Sequence, residues 1–163
     1  MDACSNLIDT FVMLRTLYQS DINQILAIEN AVHIAPWNEQ TFKACFQAGY
    51  TGWVVEADKK IIGFIIISVT SEECHILNLC VAREFQGKGW GRALLEHALN
   101  HVRKHGIGIA YLEVRRSNRR AISLYRQMKF HQIGERKGYY PTVSGNEDAL
   151  VFAISLHEEQ ERQ

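Results

Sequence analysis

The sequence predicts a mixed α/β domain. Three observations carry that reading. Strand-like apolar runs and segments of helical period follow one another in the order β-α-α-β-β-β-α-β-α-β-β. Two of the runs flank Asp58-Lys59-Lys60 as a hairpin would. A glycine-rich turn, Gln86-Gly87-Lys88-Gly89-Trp90-Gly91, joins an apolar run to a long amphipathic stretch. The order fits neither a doubly wound sheet nor a sandwich.

Phe11 to Leu17 reads as the first strand. Ser20 or Asp21 caps a helix that carries Ile22, Ile25, Leu26 and Ile28 on one stripe. His33-Ile34-Ala35-Pro36-Trp37 breaks it, and Asn38 caps a short second helix through Phe42, Cys45 and Phe46 that Gly49 ends. Gly52 to Ala57 and Ile61 to Val69 are the hairpin strands, and Cys74 to Val81 is the fourth strand. After the glycine turn, Arg92 to His105 forms the long helix, with core stripe Leu94, Leu95, Ala98, Leu99 and Val102. Gly106 and Gly108 end it. Ile109 to Val114 is the fifth strand, and Asn118 caps a helix with Ala121, Ile122, Leu124, Tyr125 and Met128. Phe130 to Lys137 and Ala149 to Leu156 are the last strands, joined by a long loop through Pro141 and Gly145.

A glycine turn between a strand and a helix presents several N–H groups at the positive end of the helix dipole. That is a site for a phosphate or pyrophosphate. Glycines admit φ > 0 and let a ligand approach without meeting a Cβ. The spacing excludes a P-loop, because Gly89 follows Lys88 where Ser or Thr would hold magnesium. It also excludes the G-x-G-x-x-G dinucleotide fingerprint.

Composition narrows the class further. The chain has 163 residues, enough for one domain, 1–163, with its core over 11–156. Lys plus Arg equals Asp plus Glu, 18 each, so no global field argues for nucleic acid. No apolar run approaches the ~20 residues of a membrane span. Met1 to Thr10 carries Asp2 and Asp9 and no basic cluster, unlike a signal peptide. Cys4, Cys45, Cys74 and Cys80 form no C-x-x-C pair and read as free thiols in a cytoplasmic monomer. The polar tail from His157 to Gln163 reads as a fraying end.

Gln86-x-x-Gly89-x-Gly91 matches the Q/R-x-x-G-x-G/A signature of the GNAT superfamily of acyl-CoA N-acyltransferases, and the element order from Phe11 to Leu156 resembles theirs. Asn118-x-x-Ala121-x-x-Leu124-Tyr125-x-x-x-x-Phe130 resembles a second signature of that family. The resemblance implies a mostly antiparallel twisted sheet, splayed between strands four and five and flanked by helices. It implies acetyl-CoA as co-substrate and no metal. The expected cofactor residues are Gln86, Gly87, Lys88, Gly89, Trp90, Gly91 and Arg92 at the phosphates, Asn118 at the coenzyme A arm, and Leu79, Cys80 and Val81 along the fourth strand. Leu77-Asn78-Leu79-Cys80-Val81 resembles that family's bulged strand, whose N–H groups polarise the thioester carbonyl.

Acetyl transfer to an amine requires a base for the amine, donors for the oxyanion and a proton for the leaving thiolate. Glu113, a carboxylate in an apolar strand, reads as the base, directly or through water; the lesser alternative is a salt bridge to Arg115 or Arg116. Tyr125 fits the acid under the resemblance, whereas periodicity alone makes it a core residue. Cys80 lacks a base in its local sequence and reads as an inert thiol. His97, His101 and His105 share a helix face that reads as solvated, with no carboxylate or cysteine placed to complete a metal site.

His33 to Trp37 with Asn38-Glu39-x-x-Phe42, Leu112-Glu113-Val114-Arg115-x-Ser117-Asn118, Tyr139-Tyr140-Pro141-Thr142 and Glu147-Asp148-Ala149 together resemble the bacterial RimI family. Those enzymes acetylate the N-terminal alanine of the eighteenth small-subunit ribosomal protein. The resemblance implies Glu113 as base, Tyr125 as acid, and Pro36, Trp37, Tyr139 and Tyr140 at the peptide entrance. Glu147, Asp148 or Glu39 then attract basic residues of the acceptor. Lys137-Gly138 departs from the Arg-Asn expected before the tyrosines and gives a more flexible rim. A lysine or small-amine acetyltransferase and a non-catalytic coenzyme A-binding module are the alternative functions.

Overall fold

Seven strands form one sheet in the computed structural model, which describes residues 11–157. They are β1 (Val12–Thr16), β2 (Thr51–Ala57), β3 (Lys60–Val69), β4 (Glu73–Val81), β5 (Ile109–Arg115), β6 (His131–Thr142) and β7 (Gly145–Ser155). Their spatial order is β1-β2-β3-β4-β5-β7-β6, antiparallel throughout except for the parallel pair β4–β5. Four α-helices accompany them: α1 (Ile22–Val32), α2 (Glu39–Gln47), α3 (Trp90–Lys104) and α4 (Arg119–Gln127). The readings of Met1 to Thr10, of Cys4 and of the tail beyond His157 lie outside the described residues.

Sequence-local chemistry sets most boundaries. Asn38 Oδ1 accepts from the Thr41 N–H at 2.9 Å and caps α2, which ends at Gly49 with φ +75°. Asp58 and Lys59 both take positive φ, giving the two-residue turn whose twist suits a hairpin. β3 is the most apolar strand because both its faces are covered. Ile62, Ile65 and Ile67 pack toward α3, while Ile61, Phe64 and Ile66 pack toward α1 and α2.

Two local features depart from the sequence expectation. The long helix begins at Trp90, so Gly91 and the residue before it belong to its first turn. The expected long loop after Lys137 is strand: β6 continues to Thr142 and meets β7 across a tight turn. Between Arg136↔Ala149 and Tyr140↔Glu147, β6 spends four steps against two on β7. This bulge is held by Gly138, with φ +58°, whose N–H donates to Asp148 Oδ1 at 2.9 Å. Proline and glycine in an edge strand hide its period, so the sequence there has the pattern of a loop.

A second bulge matters more. In β4, Ile76 pairs with Ile67 and Asn78 with Ile66, so Leu77 is inserted without a partner. Inside-outside alternation changes parity there. Cys74 and Ile76 lie in the α3 core, whereas Cys80 joins the α1–α2 core and Asn78 bonds Glu29 of α1.

One polar cluster ties the first strand to the first helix. The Arg15 guanidinium donates to both Asp21 oxygens, at 2.9 and 3.0 Å, and to Glu56 at 2.6 Å. The Tyr18 N–H donates to Asp21 at 2.8 Å. Burial pulls the Asp21 carboxyl upward, but these donors hold it below the usual range. The folded state therefore binds this proton less well than the unfolded chain. The stabilisation is complete above the unfolded value, about pH 4, and is lost as pH falls through the lower folded value. Asp21→Asn is expected to destabilise the protein by about 2 kcal/mol at neutral pH. In denaturant titrations the deficit should shrink in acid; a deficit unchanged at acid pH would exclude the ion pair as its cause.

Candidate active site

The turn between β4 and α3 takes its shape from two left-handed glycines, Gly87 at φ +74° and Gly89 at φ +91°. A Cβ at either position would meet no neighbouring atom, so conformation rather than space requires glycine in the free protein. Gly91 differs: its Cβ would lie 3.6 Å from Leu124 and 3.8 Å from Val81, packing α3 on the core. Among the described residues, no acceptor meets the N–H groups of residues 87–92. They point from the helix start as an anion site does.

Gln86 braces this turn. Its Nε2 donates to the Val81 carbonyl at 2.9 Å, and its Oε1 accepts from Arg120 at 2.8 Å. The side chain thus links the end of β4, the turn and α4. Arg83 adds a third tie by donating to the Ala31 carbonyl at 2.8 Å.

The turn closes one end of a cleft of about 990 Å³. Leu79, Cys80, Val81, Gln86, Gly87, Gly89, Trp90, Gly91, Arg92 and Asn118 line it, as does Tyr125. Lys88 does not; its ammonium lies 5.5 Å from the Phe85 ring. Arg83, Arg92, Arg115, Arg119 and Arg120 also line the cleft, a concentration of charge that a neutral chain as a whole conceals. Asn118 Oδ1 is occupied capping α4 at Ala121, which leaves its Nδ2 as the group for a ligand.

The cleft exists because β4 and β5 part. They pair from Glu73↔Ile109 to Ile76↔Leu112 and no further. Beyond that point β4 keeps its bonds to β3 and β5 keeps its bonds to β7. Two strand edges consequently face each other unpaired. Glu113 is the first β5 residue past the split.

Glu113 does not line the cleft. Its carboxylate meets Arg136 Nε at 2.7 Å rather than Arg115 or Arg116, and lies near the Tyr139 phenol. The Glu113 charge, together with burial, pushes the Tyr139 phenol upward. Burial first, and the same charge second, pushes Tyr140 up to about 12. Tyr125 lies on the opposite face of β5, in the core with Leu112, Val114, Phe130 and Phe152. It is only 7% exposed, yet it borders the cleft. Burial pushes its phenol far upward, so it remains a proton donor at neutral pH.

Pro36, Trp37, Tyr139 and Tyr140 also lie outside the cleft lining. Trp37 rests edge-on against Phe42, with centroids 5.4 Å apart, while its N–H donates to Glu29. Tyr139 and Tyr140 meet edge-on at 5.0 Å, covered by Arg136 and Arg115 respectively. The carboxylates expected to attract a basic acceptor are engaged internally. Glu147 pairs with Arg115 and Ser117, Asp148 with Arg116 and Lys137, and Glu39 with Lys43. His97 and His101 are not merely solvated: both pack edge-on against Trp53.

Sequence reasoning missed Arg136, Arg120 and the buried pair Glu29–Asn78. The first two belong to elements far from their partners in the chain, so no local pattern announces them. Glu29 has a signal in retrospect, being a carboxylate beside the apolar stripe of α1.

A cleft between splayed strands, ending on a glycine turn at a helix start, defines an acyl-CoA-dependent acyltransferase. Residues 21–130 match the Acetyltransferase (GNAT) family, and the chain belongs to it. Within that family it is an N-acetyltransferase similar to the enzymes that modify ribosomal protein bS18. It is 35% identical over 143 residues to the [ribosomal protein bS18]-alanine N-acetyltransferase of Escherichia coli (strain K12), covering 88% of this chain and 97% of that one. The enzyme of that name from Haemophilus ducreyi is 35% identical over 145 residues, covering 88% and 100%. An Escherichia coli crystal structure of the alanine N-acetyltransferase superposes with a TM-score of 0.87 at 33% identity, over 94% of this chain and 99% of that one. The yncA structure from Salmonella typhimurium, with its cofactor acetyl-CoA, has the same fold, with TM-score 0.75 at 19% identity over 93% and 98%.

Gln86→Ala removes two hydrogen bonds that hold the turn. Coenzyme A affinity is expected to fall at least fivefold, on the basis of about 1 kcal/mol for one net hydrogen bond, with the melting temperature little changed. Calorimetric titration measures it, and unchanged affinity would remove the bracing role.

Proposed function

We propose that this enzyme transfers acetyl from acetyl-CoA to the N-terminal α-amine of ribosomal protein bS18, an alanine, within a ternary complex. The observation that carries the reading is the placement of Glu113 at the mouth of the split between β4 and β5, with Tyr125 on the other side of the strand. Similarity to the bS18-alanine N-acetyltransferases supports the choice of acceptor.

In this reading the pyrophosphate rests on the N–H groups after Gln86, with the arginines around the cleft neutralising its charge. The pantetheine arm lies along the open edge of β4. Donors of the bulged strand polarise the thioester carbonyl. The acceptor enters from the face of β5 that carries Glu113, past the Trp37 segment and the Tyr139–Tyr140 rim. Glu113 takes the amine proton through a water, after the acceptor has displaced Arg136 from its carboxylate. The amine nitrogen bonds to the acetyl carbon, the C–S bond breaks, and Tyr125 gives its proton to the departing thiolate.

Direct attack is favoured over an acetyl-Cys80 intermediate. Burial and the neighbouring Glu29 charge push the Cys80 thiol well upward, away from the reactive thiolate. An α-amine suits this arrangement, since its pKa of about 8 leaves a fraction neutral at pH 7, whereas lysine at about 10.4 is almost wholly charged. Because the rim carboxylates are paired, selection there rests on shape and aromatic contact more than on a free negative field.

Two measurements test the reading. Tyr125→Phe is expected to lower kcat by about 10²–10⁴-fold while coenzyme A affinity holds; full turnover with chemistry rate-limiting would make Tyr125 a packing residue alone. An alanine-led bS18 peptide should be acetylated on its α-amine, by mass spectrometry, in preference to an N-terminally blocked peptide carrying lysine and to spermidine. Equal activity on either competitor would favour the lysine or small-amine alternative. Thioester binding without any transfer would favour the regulatory module.

A further inference from the structure

The bulge at Leu77 turns Cys80 toward α1, where it meets two residues one helical turn apart. The ligating atoms of Glu29, His33 and Cys80 all lie within 4.8 Å of one another. We infer that these three side chains form a site for a borderline divalent cation of the Zn²⁺ type, at the wall of the cleft.

Two independent observations point to a cation site. Glu29 is 2% exposed, and among the described residues no lysine or arginine pairs with it. Its carboxylate takes the Trp37 N–H at 3.1 Å and the Asn78 amide at 3.0 Å, which are neutral donors. A buried carboxylate is costly without a counter-charge. In addition, His33 Nε2 is buried without a hydrogen-bond partner and stands 3.6 Å from Glu29 Oε2, too far for a good bond. An orphaned ring nitrogen aimed at an uncompensated carboxylate is a ligand position.

The donor set selects the metal. A thiolate, an imidazole and a carboxylate suit Zn²⁺ or Co²⁺ rather than Mg²⁺ or Ca²⁺, which take oxygen ligands. Bond lengths of roughly 2.0–2.3 Å about a tetrahedral ion require the three atoms to close by about 1 Å. Side-chain rotation at His33, at the end of α1, supplies much of that. Binding displaces the Cys80 proton to solvent. The dication then balances one thiolate and one carboxylate, so the buried site becomes neutral. The same burial that makes Cys80 a poor nucleophile leaves it a competent ligand, because a metal deprotonates a coordinating thiol outright. Three protein ligands leave a fourth position, and both His33 and Cys80 border the cleft, so that position opens toward it. The site is independent of which amine is acetylated.

The test is a Co²⁺ titration of the chelator-treated full chain, followed spectroscopically, with Zn²⁺ as competitor. The wild type should bind one equivalent with a thiolate-to-cobalt charge-transfer band, which Zn²⁺ abolishes and Mg²⁺ does not. Cys80→Ala should lose the band and at least tenfold in affinity. His33→Gln, at a partly exposed position, should keep the band but weaken binding. Circular dichroism checks that both variants fold. Absence of the band in the wild type would overturn the site. Its persistence in Cys80→Ala would do the same, by moving the metal to another cysteine. Unchanged binding in both variants would assign it to the His97–His101–His105 face instead.

Discussion

β4 and β5 pair over four residues and then separate, and the rest of the molecule is arranged around that separation. A parallel pair in mid-sheet is ordinarily buried on both faces and bonded along its length. Here the strands keep their outer neighbours and lose each other, which opens two polar edges inside the domain. A ligand with amide groups of its own can satisfy them. The glycine turn and the arginines close one end of the opening, while Glu113, the first β5 residue past the split, lies outside its lining with Arg136 and Tyr139 beside it.

The bulge at Leu77 makes this geometry chemical. Were β4 a regular strand with no bulge, strict alternation would put Asn78 and Cys80 on the face of Cys74 and Ile76, and the face toward α1 would lack both the amide and the thiol. With it, Glu29 gains an amide donor, and through Glu29 the Trp37 segment is tied to the middle of the sheet. The bulge therefore connects the open edge of β4, through Glu29, to the Trp37 segment.

The sequence carried the glycine turn most clearly, because Gln86, Gly87 and Gly89 act through local conformation and a short-range brace. Element order was equally plain where helices are amphipathic and capped, as with Asn38 and Asn118. The end of the chain was harder. Pro141, Gly138 and Gly145 disguise a bulged edge hairpin as a loop. The ion pair Arg136–Glu113 was invisible because it joins residues on strands that are not hydrogen-bonded to each other and obeys no spacing rule. Charge was legible only as a total. Neutrality of the whole chain coexists with five arginines around one cleft and with carboxylates paired at its rim.

If the split is where acetyl-CoA binds, both of its protein surfaces must lose solvent together. Amide hydrogen exchange with and without coenzyme A reads this directly. Protection is predicted at residues 77–81 of β4 and at residues 87–92 of the turn, with little change along β1 and β2. Protection of the turn alone would mean that the phosphates bind while the pantetheine arm lies elsewhere, and would contradict the role given to the splayed strands.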